Sequence, residues 1–144
     1  MALPHKELEK WFSYFVRLSV ADWKGFAKCY TCGDNQYWKY LQDGHYIPRS
    51  NMILKYSEIN NKPQCNFCNC GKGGNLDVYR RNLIRDYGLN AVENLESLKH
   101  STYKYSLFEM QELIKHYKVE VRKLTKQPLW MNTSTWVTAS PILH

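Results

Sequence analysis

No apolar run in this sequence comes near the length needed to cross a bilayer, and the opening MALPHKELEK has no hydrophobic stretch of the signal-peptide kind. The first absence excludes a membrane-spanning helix. The second leads us to expect a cytoplasmic protein, in a reducing compartment where disulfides are disfavoured. There is no internal repeat and no long low-complexity segment, so repeat architectures are set aside. Acidic side chains are the scarce charge: 13 Asp and Glu face 20 Lys and Arg, for a net charge of +7 and a pI of about 9.1. An imbalance of this sign bears on partners rather than on fold, and DNA, RNA and anionic membrane surfaces all suit it. What is present is 144 residues with 11 Tyr and 5 Trp. That is enough for one domain that buries roughly two-thirds of the surface its unfolded chain exposes.

Leu8, Trp11, Phe12 and Phe15 recur at helical spacing and predict an amphipathic helix over residues 5–20. Residues 26–30 read as a short strand that runs into a tight turn. The aromatic stretch 37–46 reads as extended chain, with Trp38 and Tyr40 expected in the core. Residues 48–63 are polar and turn-prone, a loop with room for a short helix. Gly71-Lys72-Gly73-Gly74 then leads into a helix over 75–87 that stops at Gly88. Asn90-Ala91-Val92-Glu93 has the form of a capping box, and so has Ser106-Leu107-Phe108-Glu109. The second opens a helix with Leu107, Met110, Ile114, Tyr117 and Val121 along one face. Residues 125–144 lose this periodicity and read as a tail of unknown role.

Cys29 and Cys32 form one CxxC pair and Cys65 and Cys68 a second, about thirty residues later. Each pair sets two thiolates on one tight turn, and two such turns complete the tetrahedron that zinc prefers. Disulfide pairing is the alternative, but no export signal supports it. A redox CxxC would account for one pair and not for two. The expectation is one structural Zn2+, with Cys70 a bystander.

Between and beside the pairs lie residues suited to phosphodiester hydrolysis, which needs a base for water, a divalent ion for the leaving oxygen and cations for the backbone. His45 can act as the base near neutral pH, and an Asn side chain can orient its second ring nitrogen. Asp43 and Asn69 offer hard oxygen donors of the kind Mg2+ or Mn2+ favours. At these residues the sequence resembles the HNH (ββα-metal) nucleases, and within them the phage NinG (Rap) recombination nucleases. The resemblance rests on Cys29-Tyr30-Thr31-Cys32-Gly33, Gly44-His45-Tyr46-Ile47-Pro48-Arg49, Asn60 through Asn69, and Gly74-Asn75 with Tyr79. It extends more weakly from the first helix to about Lys118.

The resemblance implies an endonuclease acting on branched recombination intermediates such as D-loops or Holliday junctions, in the host cytoplasm if phage-encoded. It implies His45 as general base, Asn60 as its orienting partner, and a magnesium-type ion near Asp43 and Asn69. Many HNH enzymes carry Asp directly before the catalytic His. Here that position is Gly44, and Asp43 lies one further back, which makes Asn75 a rival metal ligand. Arg49 is expected to hold the scissile phosphate. Lys72, Arg80, Arg81 and Arg85, on or before the helix after the second pair, are candidates for DNA contact, although charged helix faces are as often merely solvated. Tyr46 is expected to pack, and His100 and His116 have no partner pattern.

The expected fold is α+β: a zinc-stapled ββα-metal core with flanking helices over residues 1–124. The expected partner is DNA, with a homodimer plausible because a junction needs two symmetric cuts. Two other readings stand beside it: a non-catalytic zinc module that binds DNA or a recombination protein, and an HNH enzyme that nicks ordinary duplex.

Overall fold

Leu8, Phe12 and Val16 recur every four residues on the first helix, and that stripe decides how it meets the last helix among the described residues. It packs against Met110, Ile114 and Tyr117 of the last helix, with Tyr56 filling the gap from a loop. Phe12 meets the rings of Tyr56 and Tyr117 edge-on, with centroids 5.6 and 5.0 Å away. The structure, a computed structural model, describes residues 2–126. Its elements are α1 (Ala2–Leu18), β1 (Phe26–Lys28), β2 (Asn35–Tyr37), β3 (Gln42–His45), β4 (Asn61–Gln64), α2 (Leu76–Tyr87), α3 (Leu89–Ser97) and α4 (Leu107–Thr125). The arrangement is α+β, as expected. No helix among the described residues is long and apolar enough to cross a membrane.

The strands form two separate antiparallel pairs. In β1–β2, Phe26 faces Tyr37. In β3–β4, Gln42 faces Gln64 and His45 faces Asn61. A 3-10 turn at Trp38–Tyr40 interrupts the stretch expected to be extended. The turn sends neighbouring aromatics in opposite directions. Trp38 is fully buried with Leu18 and Val121, whereas Tyr40 is 74% exposed and not in the core. Residues 46–60 are a chain of turns without the short helix, and β4 begins inside the segment read as loop.

A second cluster joins α2 and α3 to the β3–β4 connection through Tyr79, Leu83, Val92 and Leu95 against Ile47 and Leu54. Gly88, at φ 90°, both ends α2 and precedes α3. Because that sharp turn starts α3 at Leu89, the expected box at Asn90 does not form; the helix opens without a side-chain cap. The box at Ser106 does form. Its hydroxyl accepts the Glu109 N–H at 3.1 Å, and the Glu109 carboxylate accepts the Ser106 N–H at 2.8 Å. The tail assigned to residues 125–144 lies, apart from Thr125 and Lys126, outside the described residues.

Candidate metal centre and active site

β1 delivers Cys29 and β4 delivers Cys65, and the Tyr30 N–H donating to the Pro63 carbonyl at 2.7 Å holds the two strand ends together. The first CxxC turn closes through Gly33, at φ 79°, whose N–H donates to the Cys29 carbonyl. The second folds into a π-helical turn, Phe67–Gly71. The four sulfurs of Cys29, Cys32, Cys65 and Cys68 lie within 4.8 Å of one another, and all four thiols are free. Cys32 and Cys65 are 3.8 Å apart, the edge of roughly 3.8 Å that a tetrahedron with Zn–S bonds of about 2.3 Å would have. The four could hold a metal ion such as zinc. Burial raises the Cys29 pKa, but hydrogen bonds from Thr31 and neighbouring backbone N–H groups outweigh it and bring the thiol down to about 6. Cys70 stands apart, its Sγ 3.4 Å from the Gln42 side-chain oxygen.

Strand alternation explains the neighbouring site. On β3, Asp43 and His45 are two residues apart and share a face, while Gly44 turns to the other. That other face is closed: a Cβ on Gly44 would come 2.1 Å from the Gln64 side-chain oxygen. Gln64 is itself fixed, donating to Thr31 Oγ1 at 3.1 Å and to the Gly74 carbonyl at 2.8 Å. A carboxylate directly before His45 would therefore point away from it, and Asp43 is the carboxylate that shares its face.

Asp43 and His45 line an open cleft of about 680 Å³, together with Arg49, Lys55 and Asn69. Its opposite wall is α1, which contributes Lys6, Glu9, Lys10 and Arg17. Burial pushes the Asp43 carboxyl up to about 7, with Arg17 and Arg49 working against that shift. Asp43 Oδ1 is shut off from solvent without a hydrogen-bond partner. Burial likewise lowers the His45 imidazole to about 4, though backbone hydrogen bonds at Lys55 and Asp43 favour its charged form. Asn69 donates to the Gln42 side-chain oxygen at 2.7 Å, which fixes the knuckle turn against β3. Arg17 stacks 4.9 Å from the Trp38 ring and donates to the Leu41 carbonyl at 3.2 Å. Lys55 pairs with Glu9 at 2.5 Å and ties the loop to α1.

The sequence model of one family, described as "Bacteriophage Lambda NinG protein", matches residues 4–127. The chain belongs to the NinG family. The protein named "Protein ninG" of Escherichia phage lambda is 31% identical over 122 residues, which is 83% of this chain and 56% of the relative. That of Salmonella phage P22 is also 31% identical over 122 residues, again 83% of this chain and 56% of the relative. In Enterobacteria phage H19B the identity is 37% over 71 residues, 49% of this chain and 35% of the relative. The chain thus spans little more than half the length of the lambda and P22 NinG proteins. No solved structure matches.

The NinG match takes in α1, both CxxC pairs and the cleft. Not every candidate residue meets there. Asn60, fully buried, accepts the Ile47 N–H at 2.8 Å and donates to the carbonyls of Ile47 at 2.9 Å and Leu54 at 3.3 Å. Its amide is committed to backbone, so it braces the loop after His45 instead of orienting the imidazole. Asn75 adopts a left-handed conformation at φ 49° beside the cysteine cluster, with its Nδ2 3.7 Å from Cys68 Sγ. Arg80 pairs with Glu96 at 2.6 Å and Arg85 with Asp86 at 2.8 Å. Lys72 sits 5.4 Å over the Phe67 ring, and Arg81 is exposed on α2. None of these four basic residues lines the cleft, whose cations come from α1 and the loop instead. Lys6, Lys10, Arg17 and Lys55 were invisible as site residues because in sequence they are scattered charges of the kind any amphipathic helix or loop exposes. Tyr46 packs as expected, its ring 5.6 Å from Tyr79 and its hydroxyl donating to Glu96. His100 and His116 are exposed away from the cleft.

Proposed function

We propose that this NinG protein is a metal-dependent endonuclease that hydrolyses phosphodiester bonds in branched DNA such as D-loops and Holliday junctions. The observation that carries the reading is the buried, unpartnered Asp43 oxygen on the same strand face as His45, in a cleft walled by cations. A carboxylate left without a donor in such a place is costly unless something positive completes it. Asp43 and Asn69 would hold a divalent ion such as magnesium or manganese, whose charge, when bound, stabilises the leaving oxygen. The succession β3, β4, α2, with the histidine ending the first strand, accords with the ββα-metal resemblance.

In this reading Arg49, Lys6 and Lys10 draw the phosphate backbone into the cleft. His45 takes a proton from water as the water oxygen bonds to phosphorus. The bond from phosphorus to the leaving nucleoside oxygen breaks, and that oxygen takes up a proton from solvent. The cysteine cluster does no chemistry; its structural zinc would fix the knuckle carrying Asn69 against β3. Two symmetric cuts across a junction would take two copies, so a homodimer belongs to the proposal.

The test compares wild type with His45→Ala and Asp43→Asn on labelled linear, D-loop and four-way-junction DNA, with magnesium, manganese or EDTA. We expect divalent-dependent cutting of the branched substrates, falling by at least about a hundred-fold in His45→Ala, with DNA binding and zinc content unchanged. Equal cutting by His45→Ala would remove the histidine from the mechanism. Cutting of linear duplex as fast as of junctions would favour a nicking enzyme. DNA binding with no cutting by any protein would leave a non-catalytic zinc module.

A further inference from the structure

The β1–β2 hairpin and the turns beside it carry large aromatic side chains that the core does not use. Trp23 is 61% exposed, Phe26 39% and Tyr40 74%. Phe26 and Tyr37 are cross-strand partners with ring centroids 5.8 Å apart, and Tyr40 continues the row 6.3 Å from Tyr37. Gly25, at φ 87°, keeps the row close to the backbone, since a Cβ there would come 2.6 Å from the Tyr37 ring. Cations accompany these rings: Lys24 lies 5.0 Å over the ring of Trp23, in the turn before β1, and Lys28 follows Phe26 on the same strand face. The nearby carboxylates are already engaged. Asp22 accepts the backbone N–H groups of Lys24 and Phe26 at 2.9 Å, and Asp34 accepts from Gln36 at 2.6 Å.

From this surface we infer a second nucleic-acid site, for unpaired DNA strands, in which bases stack on Trp23, Phe26 and Tyr40 while Lys24 and Lys28 neutralise the backbone. Exposed rings alternating with lysines are what a single strand requires, because every base has a face to stack and every linkage carries a charge. A duplex, whose bases already stack on one another, gains little from such rings. None of these residues lines the cleft that contains His45. The inference rests on the branched-DNA reading for its purpose, since a branch supplies unpaired nucleotides, but not for its test.

The test measures binding of fluorescein-labelled oligo-dT and of a linear duplex of equal length, without added magnesium or manganese so that cleavage plays no part. Trp23→Ala and Tyr40→Ala should each weaken oligo-dT binding by about five-fold or more and leave duplex binding unchanged. Trp23→Phe and Tyr40→Phe, which keep a ring, should bind oligo-dT like wild type. Unchanged oligo-dT affinity in both alanine variants would overturn the inference. So would an equal loss on duplex, which would indicate a general charge or folding effect. Loss of wild-type binding to phosphatidylserine vesicles with oligo-dT affinity intact would assign the surface to a membrane and also overturn it. Failure of the nuclease test leaves these measurements interpretable, because they read binding alone.

Discussion

Asn60 and His45 lie near each other in the β3–β4 hairpin, yet their side chains do different work. The Asn60 amide meets only backbone, and in doing so closes the start of the 46–60 loop onto its end. Asn60→Ala would leave the buried Ile47 N–H without an acceptor, which costs about 1–3 kcal/mol. We expect urea unfolding to report that loss, with the proposed DNA cleavage falling only as the folded fraction falls. A residue that oriented the imidazole would give the reverse: lower cleavage in a fully stable protein. Gly44 makes a similar point about reading single positions. The sequence displays it as a missing carboxylate; the structure displays it as the space that Gln64 occupies.

Among the elements, those whose cause is local were legible in the sequence. The Ser106 box and the stripe on α4 depend on residues three and four apart; the box stands where expected, and so does the stripe from Met110 to Val121, while Leu107 at the helix start is exposed. The two CxxC turns were legible for the same reason, and their convergence followed from chemistry. β4 was not legible, because Asn61-Lys62-Pro63-Gln64 has no apolar alternation; its pairing with β3 and the buried amides of Asn61 and Gln64 define it. Nor could the cleft be read, since its far wall comes from a helix more than twenty-five residues before His45. If that wall holds DNA, Lys6→Ala and Lys10→Ala should each lower affinity on every DNA sequence and reduce the slope of log K against log salt by about 1. A salt titration of duplex binding checks this, and an unchanged slope would make these lysines merely solvated. Arg80→Ala, at a residue paired with Glu96 outside the cleft, serves as the control.

Across the whole molecule, separate clusters share the work of stability. The α1–α4 cluster and the cysteine cluster have no residue in common. Stripping a bound metal with a strong chelator should therefore act unevenly. We expect the melting temperature to fall by about 10 °C or more, with amide exchange quickening around the two cysteine turns while the α1–α4 helical signal and the near-ultraviolet signal of the rings packed there largely survive. One zinc per chain in the untreated protein, lost in Cys65→Ser, is the matching metal analysis. The placement of the four cysteines has one more consequence. Two precede the β3–β4 hairpin and two follow it, so a bound ion would fasten shut a ring of chain that includes His45 and the whole 46–60 loop. A protease that nicks the exposed backbone near Arg49 would then cut the polypeptide without separating it. The fragments would travel together through a sizing column, and in denaturant, where the α1–α4 packing no longer joins them, they would come apart only when the metal is withdrawn.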